Sequence, residues 1–230
     1  MHRARVVMTA VVLSLLTSRI PASDQETPLA TTCPGAAAWR QAHREQLPAQ
    51  MEQRDQARGF SMPELRRELQ QRTDEDQRER KALLANPHDL ALGRRVQSLD
   101  ADNIRWLGEL AKDTGVPSVE QVGELGVHWT WLLVQHADED RGLQATLLPQ
   151  FEKRYAAGEL PAEDLAKLTD RIQLALGKPQ RYGTQFDWFS GEFKSRDAAD
   201  LGAIDANRRT LGLMPLADYA CMMNARLKQK

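Results

Sequence analysis

The chain has 230 residues, 41% of them hydrophobic, and its 31 Lys and Arg nearly balance 32 Asp and Glu, for a net charge of −1. That length and apolar content suit one ordinary globular domain. The near-neutral charge gives no basic footprint for nucleic acid or anionic lipid, so neither is an expected partner.

The first residues read as a secretory signal. Arg3 and Arg5 precede an uncharged, mostly apolar run from Val6 to Leu16, and small residues then suit cleavage after Ala22 or Ser23. The run is shorter than the roughly 20 residues of a membrane span, and no later segment approaches that length. Residues 1–23 are therefore expected to be removed, leaving a protein with no membrane span, exported to the periplasm or beyond. Loss of Arg3, Arg5 and Arg19 takes the net charge from −1 to −4.

Residues 24–33, rich in Thr, Pro and Ala, read as a flexible leader, and residues 34–230 as a single α-helical domain. The two cysteines, Cys33 and Cys221, lie at its two ends. In an oxidising compartment an even, minimal count favours one disulfide, with two unrelated buried thiols as the alternative.

Ser61-Met62-Pro63-Glu64 matches a capping box and predicts a helix running to about Leu84, where Asn86-Pro87 breaks it. A second helix is expected from Leu90 to Asp113, ending before Gly115 and Pro117. A third covers Val127 to Ala137 and is apolar nearly all round, which marks it as central. Asp138 is placed to cap a fourth, which passes Pro149 and stops at Gly158. Pro161 opens a fifth, with Leu165, Leu168, Ile172 and Leu176 on one face and Gly177 as its stop. From 178 to 200 the helical period disappears, and Tyr182, Phe186, Trp188, Phe189 and Phe193 crowd around Gly183 and Gly191. This segment reads as irregular or as a short β-hairpin. A last helix begins near Pro215. The expected fold class is an all-α bundle.

Several polar residues fall on faces that should be apolar. On the first long helix, Asp76 lies about 20° from Leu65 and Leu83, and Arg80 one turn later can pair with it. On the second, Asp100 and Asn103 sit about 40° and 20° from Val96, inside the stripe that also holds Leu107. A buried carboxylate cannot stay ionised without donors, so these aspartates need Arg80, Arg171, an amide, a histidine or a ligand. Gln135 and His136 are the main polar interruptions of the central helix.

These positions fall within longer motifs. Asp76-Gln77-Arg78-Glu79-Arg80, Asp100-Ala101-Asp102-Asn103, Gln135-His136-Ala137-Asp138 and Gln180-Arg181-Tyr182-Gly183-Thr184-Gln185 resemble the D-Q-x-x-R, D-x-x-N, Q-H-A-D and Q-x-Y-G-T-Q boxes of a bacterial family of unknown function. Asp170-Arg171 and the tail from Asn207 to Tyr219 fit as well, so the resemblance spans about residues 65–220. It implies no activity, substrate or cofactor.

The chemistry open to such a set centres on His136 as a general base, oriented by Asp76, Asp100 or Asp138. Arg80, Asn103, Gln135, Tyr182, Thr184 and Gln185 are the candidate substrate-binding groups. A hydrolase or lyase using activated water is the most economical enzyme. A satisfied network in a purely structural or partner-binding envelope protein is the competing reading of the same residues. No cofactor is expected: a divalent metal at His136 and Asp138 would need Asp76 or Asp100 to complete its ligand set, and no zincin spacing or Cys cluster is present. The other functional alternative is an envelope module binding a sugar, a cell-wall fragment or a peptide, with the aromatic segment from Tyr182 to Phe193 lining its pocket.

Overall fold

The computed structural model describes residues 29–189, 192–195 and 200–227. The expected signal peptide and the first part of the leader lie outside this set, as do the side chains of Trp188, Phe189 and Phe193. The fold is mostly helical, with one short hairpin. Its elements are α1 (Pro34–Ala42), α2 (Pro48–Gln56), α3 (Pro63–Ala85), α4 (Leu90–Asp113), α5 (Val119–His136), α6 (Arg141–Ala156), α7 (Ala162–Ala175), β1 (Phe186–Phe189), β2 (Glu192–Ser195), α8 (Leu201–Thr210) and α9 (Leu216–Leu227). Among the described residues no helix is long and apolar enough to cross a membrane.

Helix α5 is the axis of the molecule. Trp131, Leu132, Leu133 and Val134 are four consecutive side chains essentially without solvent contact, so the helix buries its whole circumference. It begins eight residues earlier than its apolar run suggests. Ser118 accepts from Gln121 N while the Gln121 side chain accepts from Ser118 N, which completes a capping box. At Gly123 the backbone turns to φ +78°, a conformation glycine adopts without strain. The freed N–H groups of Glu124 and Leu125 donate to the buried Asp55 carboxylate of α2.

The capping box expected at Ser61 does not form. Met62 precedes α3 with no side-chain cap, while Pro63 opens the helix. The Ser61 and Met62 N–H groups donate to the carbonyls of Glu120 and Gln121 instead, which fastens the start of α3 beside the start of α5. The two helices then run parallel, and α4 returns antiparallel against α3.

Asp138 does not cap α6 either. That role belongs to Asp140, which accepts from Leu143 N, and leaves Asp138 to other partners. The hairpin pairs Phe186 with Ser195 and Trp188 with Phe193, within the segment where the helical period is lost.

A second apolar cluster gathers the two ends of the described chain. Ala36 of α1, Phe186, Ile204, Met214, Leu216, Tyr219 and Met222 pack around Cys33, which is bonded to Cys221 with Cα atoms 5.8 Å apart. Leu29 to Thr32 form a helical turn leading into it. Helices α1, α2 and α8 span only nine or ten residues each, too few turns for sequence pattern to mark them as separate elements. Asp200 caps α8 through Ala203 N.

Candidate functional site

Helices α3, α4, α5 and α7 bring their polar interruptions to one end of α5. Asp76 is wholly buried and accepts three hydrogen bonds. His136 Nδ1 lies 2.9 Å from its Oδ2, Gln77 Nε2 donates to the same oxygen at 2.8 Å, and Arg80 Nε donates to Oδ1 at 2.9 Å. Arg80 then reaches across to α4, where its Nη2 donates to Asp100 Oδ1. Asp138 follows the last turn of α5. It receives the Arg171 fork of α7 through both oxygens, at 2.7 and 2.8 Å, and Arg141 Nη1 at 2.7 Å. Arg171 Nη1 donates onward to Gln185 Oε1 at 3.2 Å.

These two networks adjoin each other. Asp138 and Arg171 both influence the ionisation of Asp100, and Arg171 also influences His136. Asp76, Arg80, Asp100, His136, Asp138, Arg171 and Gln185 thus form one polar cluster. Of the residues that helical phase places inward, Asp76 meets His136 directly and Asp100 through Arg80.

Three expected members stand elsewhere. Asn103 lies one turn beyond Asp100 on α4. Because α3 and α4 are antiparallel, it meets Arg72 rather than Arg80, accepting from Arg72 Nη1 at 3.0 Å beside Asp102. Thr184 and Tyr182 serve Asp170. That buried carboxylate accepts the N–H groups of Arg181, Tyr182 and Thr184 and the Thr184 hydroxyl, all within 2.9 Å. The Tyr182 ring packs on Ala162, Ala166 and Leu213, and its carbonyl accepts from Arg208. Gln185 joins the cluster because Gln180 holds its main chain on both sides, through Gln185 N and O. The periodic faces say little about Arg171. Its place beside Asp170 in the Asp170-Arg171 motif is the signal that points to it.

Gln135 is adjacent to the cluster in sequence but not bonded into it. Its side chain is buried, and among the described residues neither its Oε1 nor its Nε2 has a partner.

Ionisation separates the members by role. Burial opposes the charge on Asp76, but His136 and Arg80 outweigh it and bring its pKa down to about 2. Burial holds His136 below its ordinary value, and the Arg80 and Arg171 guanidiniums add to that effect against the pull of Asp76. The imidazole is therefore neutral at pH 7, with its proton on Nδ1 facing an acceptor-only carboxylate. Its Nε2 has no partner among the described residues and is not one of the fully enclosed unpartnered atoms. Burial raises Asp100 to about 7, helped by Asp76 and Asp138 and opposed by Arg80. Burial also works against Asp138, yet the Arg171 fork keeps it below the usual carboxylate range.

The site opens to solvent in a definite order. Side-chain exposure is 7% for His136, 10% for Arg171, 12% for Arg80, 18% for Asp100 and 25% for Asp138. Arg141, at 42%, is more exposed than either carboxylate, while the imidazole and the other two guanidiniums are more deeply buried. No third ligand completes a metal set: among the described residues no three His, Cys, Asp or Glu side chains gather to hold an ion.

Over residues 63–230 the chain matches the family of unknown function DUF6624. It belongs to that family. The matched DUF6624 region contains every residue of the cluster and the Asp170 loop, and Cys221, while Cys33, α1 and α2 precede it. No curated protein and no solved structure matches the chain.

Helix α5 of this DUF6624 chain carries a second histidine–carboxylate pair two turns earlier. His128 Nδ1 lies 2.7 Å from Asp164 Oδ2 at the start of α7, with the imidazole stacked on Trp131 at 5.3 Å. No guanidinium and no second carboxylate is bonded to that pair among the described residues.

Proposed function

We propose that this chain is an acid–base enzyme of the hydrolase or lyase class, with its centre at His136. The observation that carries this reading is the asymmetry of the imidazole: Nδ1 is fixed by Asp76 at 2.9 Å, while Nε2 is left unbonded in the cluster that holds Asp100. Asp76 sets the tautomer and steadies the imidazolium that forms during turnover. Asp100, with its pKa near 7, retains a proton to give. In a hydrolysis, His136 Nε2 takes a proton from water, and the water oxygen bonds to the electrophilic atom of the substrate. The scissile bond breaks, and Asp100 Oδ2 protonates the leaving group. Transfer of the proton from His136 to Asp100 resets the pair. Two titratable groups driven to opposite protonation preferences by one environment are a recurring mark of such pairs.

A histidine titration by NMR in the ligand-free protein tests the reading. We expect His136 to titrate below the ordinary value of about 6.5 and to be the Nδ1–H tautomer when neutral. An Nε2–H tautomer, or titration at or above the ordinary value, overturns it. Against a panel of chromogenic esters, amides and glycosides, His136→Ala and Asp100→Asn should each lower any turnover about 10²- to 10⁴-fold.

The second reading is a structural network, favoured by the complete burial of Asp76 and its three bonds. On that reading His136→Ala has no effect on any ligand and destabilises by roughly 1–3 kcal/mol through the groups it leaves unpaired.

We also infer that the protein is exported. The signal-like N-terminus and the Cys33–Cys221 bond together support an oxidising compartment. A periplasmic product whose first residue lies near position 24 is the expected outcome of fractionation and N-terminal mass analysis.

A further inference from the structure

Two arginines of α3 are bonded across to α4. Arg72 donates through Nη1 to Asp102 and Asn103, and through Nε to Glu68 of its own helix. Arg80, two turns later, donates through Nε to Asp76 and through Nη2 to Asp100. Arg80 therefore joins the carboxylate that holds the base to the carboxyl that serves as the acid. It occupies Asp100 Oδ1 and leaves Oδ2 unbonded. Burial raises Asp100 and lowers His136, and the charges around each then decide: Asp76 and Arg80 of α3, Arg171 of α7 and, for Asp100, Asp138 as well. Both guanidiniums lower both groups. Arg171, however, is forked onto Asp138, which pushes Asp100 the other way.

Resting on the acid–base reading above, we propose that Arg80 is the positioning residue of the site: one guanidinium, anchored on Asp76, presents Asp100 with a single free oxygen and stays beside it as its proton leaves. When Asp100 protonates the leaving group it becomes a carboxylate. Nη2 is already on Oδ1 to meet that charge, so no donor has to be recruited during the step. The same cation is bonded to one oxygen of Asp76 while the imidazole is bonded to the other. There it disfavours protonation of His136 at rest and keeps the base free. Without Arg80, the acid would hold its proton more tightly and the base would take one up at higher pH. A lysine would restore the charge but not the second arm, because a single ammonium lacks the fork that reaches both carboxylates.

The test is an NMR titration of the ligand-free full chain, following the His136 ring and the Asp100 carboxyl carbon in wild type, Arg80→Gln, Arg80→Lys and Arg72→Gln. Arg80→Gln should raise the proton affinity of both groups about tenfold, or about one pH unit, while His136 keeps its Nδ1–H tautomer. Arg80→Lys should hold His136 near its wild-type value and still let Asp100 rise. Arg72→Gln breaks the other α3–α4 link and should move neither group. If either group stays put in Arg80→Gln, or Arg72→Gln moves both as far, the role of Arg80 is helix packing and the proposal is overturned. Arg80→Lys carries the test by itself if Arg80→Gln does not fold, and an unmoved Asp100 there is equally fatal. The acid–base reading fails in the wild type alone, through its tautomer or its titration, so the two failures are told apart.

Discussion

Asp170 and Asp76 are both sealed from solvent, and both gather several donors, yet they are held in different ways. Asp170 takes three backbone N–H groups and one hydroxyl from a single short loop. Every donor is neutral and local. Asp76 takes an imidazole, an amide and a guanidinium, and through Arg80 it is tied to a second carboxylate on another helix. The first arrangement fixes a chain path. The second leaves unbonded atoms at Nε2 of His136 and Oδ2 of Asp100, which a structural clamp has no use for. On the proposed reading, the contrast separates what holds this fold from what acts on a ligand.

The largest effect should come from breaking the clamp. Asp170→Ala strands three backbone donors and a hydroxyl in the interior, and at about 1–3 kcal/mol for each unsatisfied group the loss should be roughly 5 kcal/mol. That is comparable with the whole stability of many domains. Chemical denaturation measures it. A loss below about 2 kcal/mol would show that the 181–185 loop finds other acceptors and that Asp170 is not its anchor.

Next in size is the disulfide. Closing 188 residues of sequence separation has a chain-entropy value of about 5 kcal/mol, with roughly 2–4 kcal/mol typical of real bridges. The bond lies in the cluster that also holds Tyr219, whose ring is packed against Arg208 at 4.8 Å, and Arg208 grips the carbonyls of Tyr182 and Met214. Reduction is therefore expected to loosen the Asp170 side first. Hydrogen exchange should rise at Tyr182 and Thr184 before it rises at the N–H groups of α3. The opposite order would mean that the terminal cluster does not support the loop.

Part of this contrast is legible in the amino-acid pattern. Helical phase alone puts Asp76 and Asp100 inward and Arg80 within one turn, since a carboxylate on an apolar stripe has few ways to be satisfied. Phase does not say which helix lies beside which, so it groups Asn103 with Asp100 although antiparallel packing carries Asn103 to Arg72. The capping box is misplaced for a related reason. Ser61 has the right spacing to Glu64, but its main chain is drawn to the start of α5, a tertiary contact that local pattern does not contain. Helices α1, α2 and α8 leave little trace in the sequence because each has only nine or ten residues, short of the window of about 11–18 in which a helical period is read.

The Asp100 side of the comparison can be sharpened by pH. Its pKa rises from about 4 in the unfolded chain to about 7 in the fold, so folding takes up a proton between those values. Its favourable contribution is complete below about pH 4 and is lost as pH rises through 7, with a slope approaching about 1.4 kcal/mol per pH unit. Asp100→Asn removes that dependence. The stability of wild type minus that of Asp100→Asn should therefore fall steadily from about pH 4 to about pH 7 and then level off. A flat difference would place Asp100 in an ordinary ionised pair with Arg80 and remove the proton donor from the mechanism. Asp76, lowered to about 2, has the opposite sign. Its contribution is present above about pH 4 and disappears only as pH falls toward about 2.

The smallest effect is also the one that bears most directly on the contrast. Gln135 has both amide atoms enclosed without partners, next in sequence to the catalytic candidate and one turn after Trp131, whose indole N–H is likewise unpartnered. A buried amide with nothing to bond costs stability, on the order of 1–3 kcal/mol in mutational series. A methionine of similar shape removes that cost while keeping the volume. Gln135→Met is expected to stabilise the protein by about 1 kcal/mol in chemical denaturation, whereas the same logic applied to Asp170 predicts a large loss. A destabilisation of comparable size would show that the amide is bonded after all and belongs with the clamp. The decisive companion measurement is the His136 imidazole shift with any ligand that moves it in the wild type. If Gln135→Met is more stable but no longer responds, the amide is held unsatisfied in the resting fold because it turns to the ligand when one enters. Stability given up at a site for the sake of binding is the expected direction of such a trade. A response equal to that of wild type would instead confine the ligand to the Asp100 and His136 side of α5.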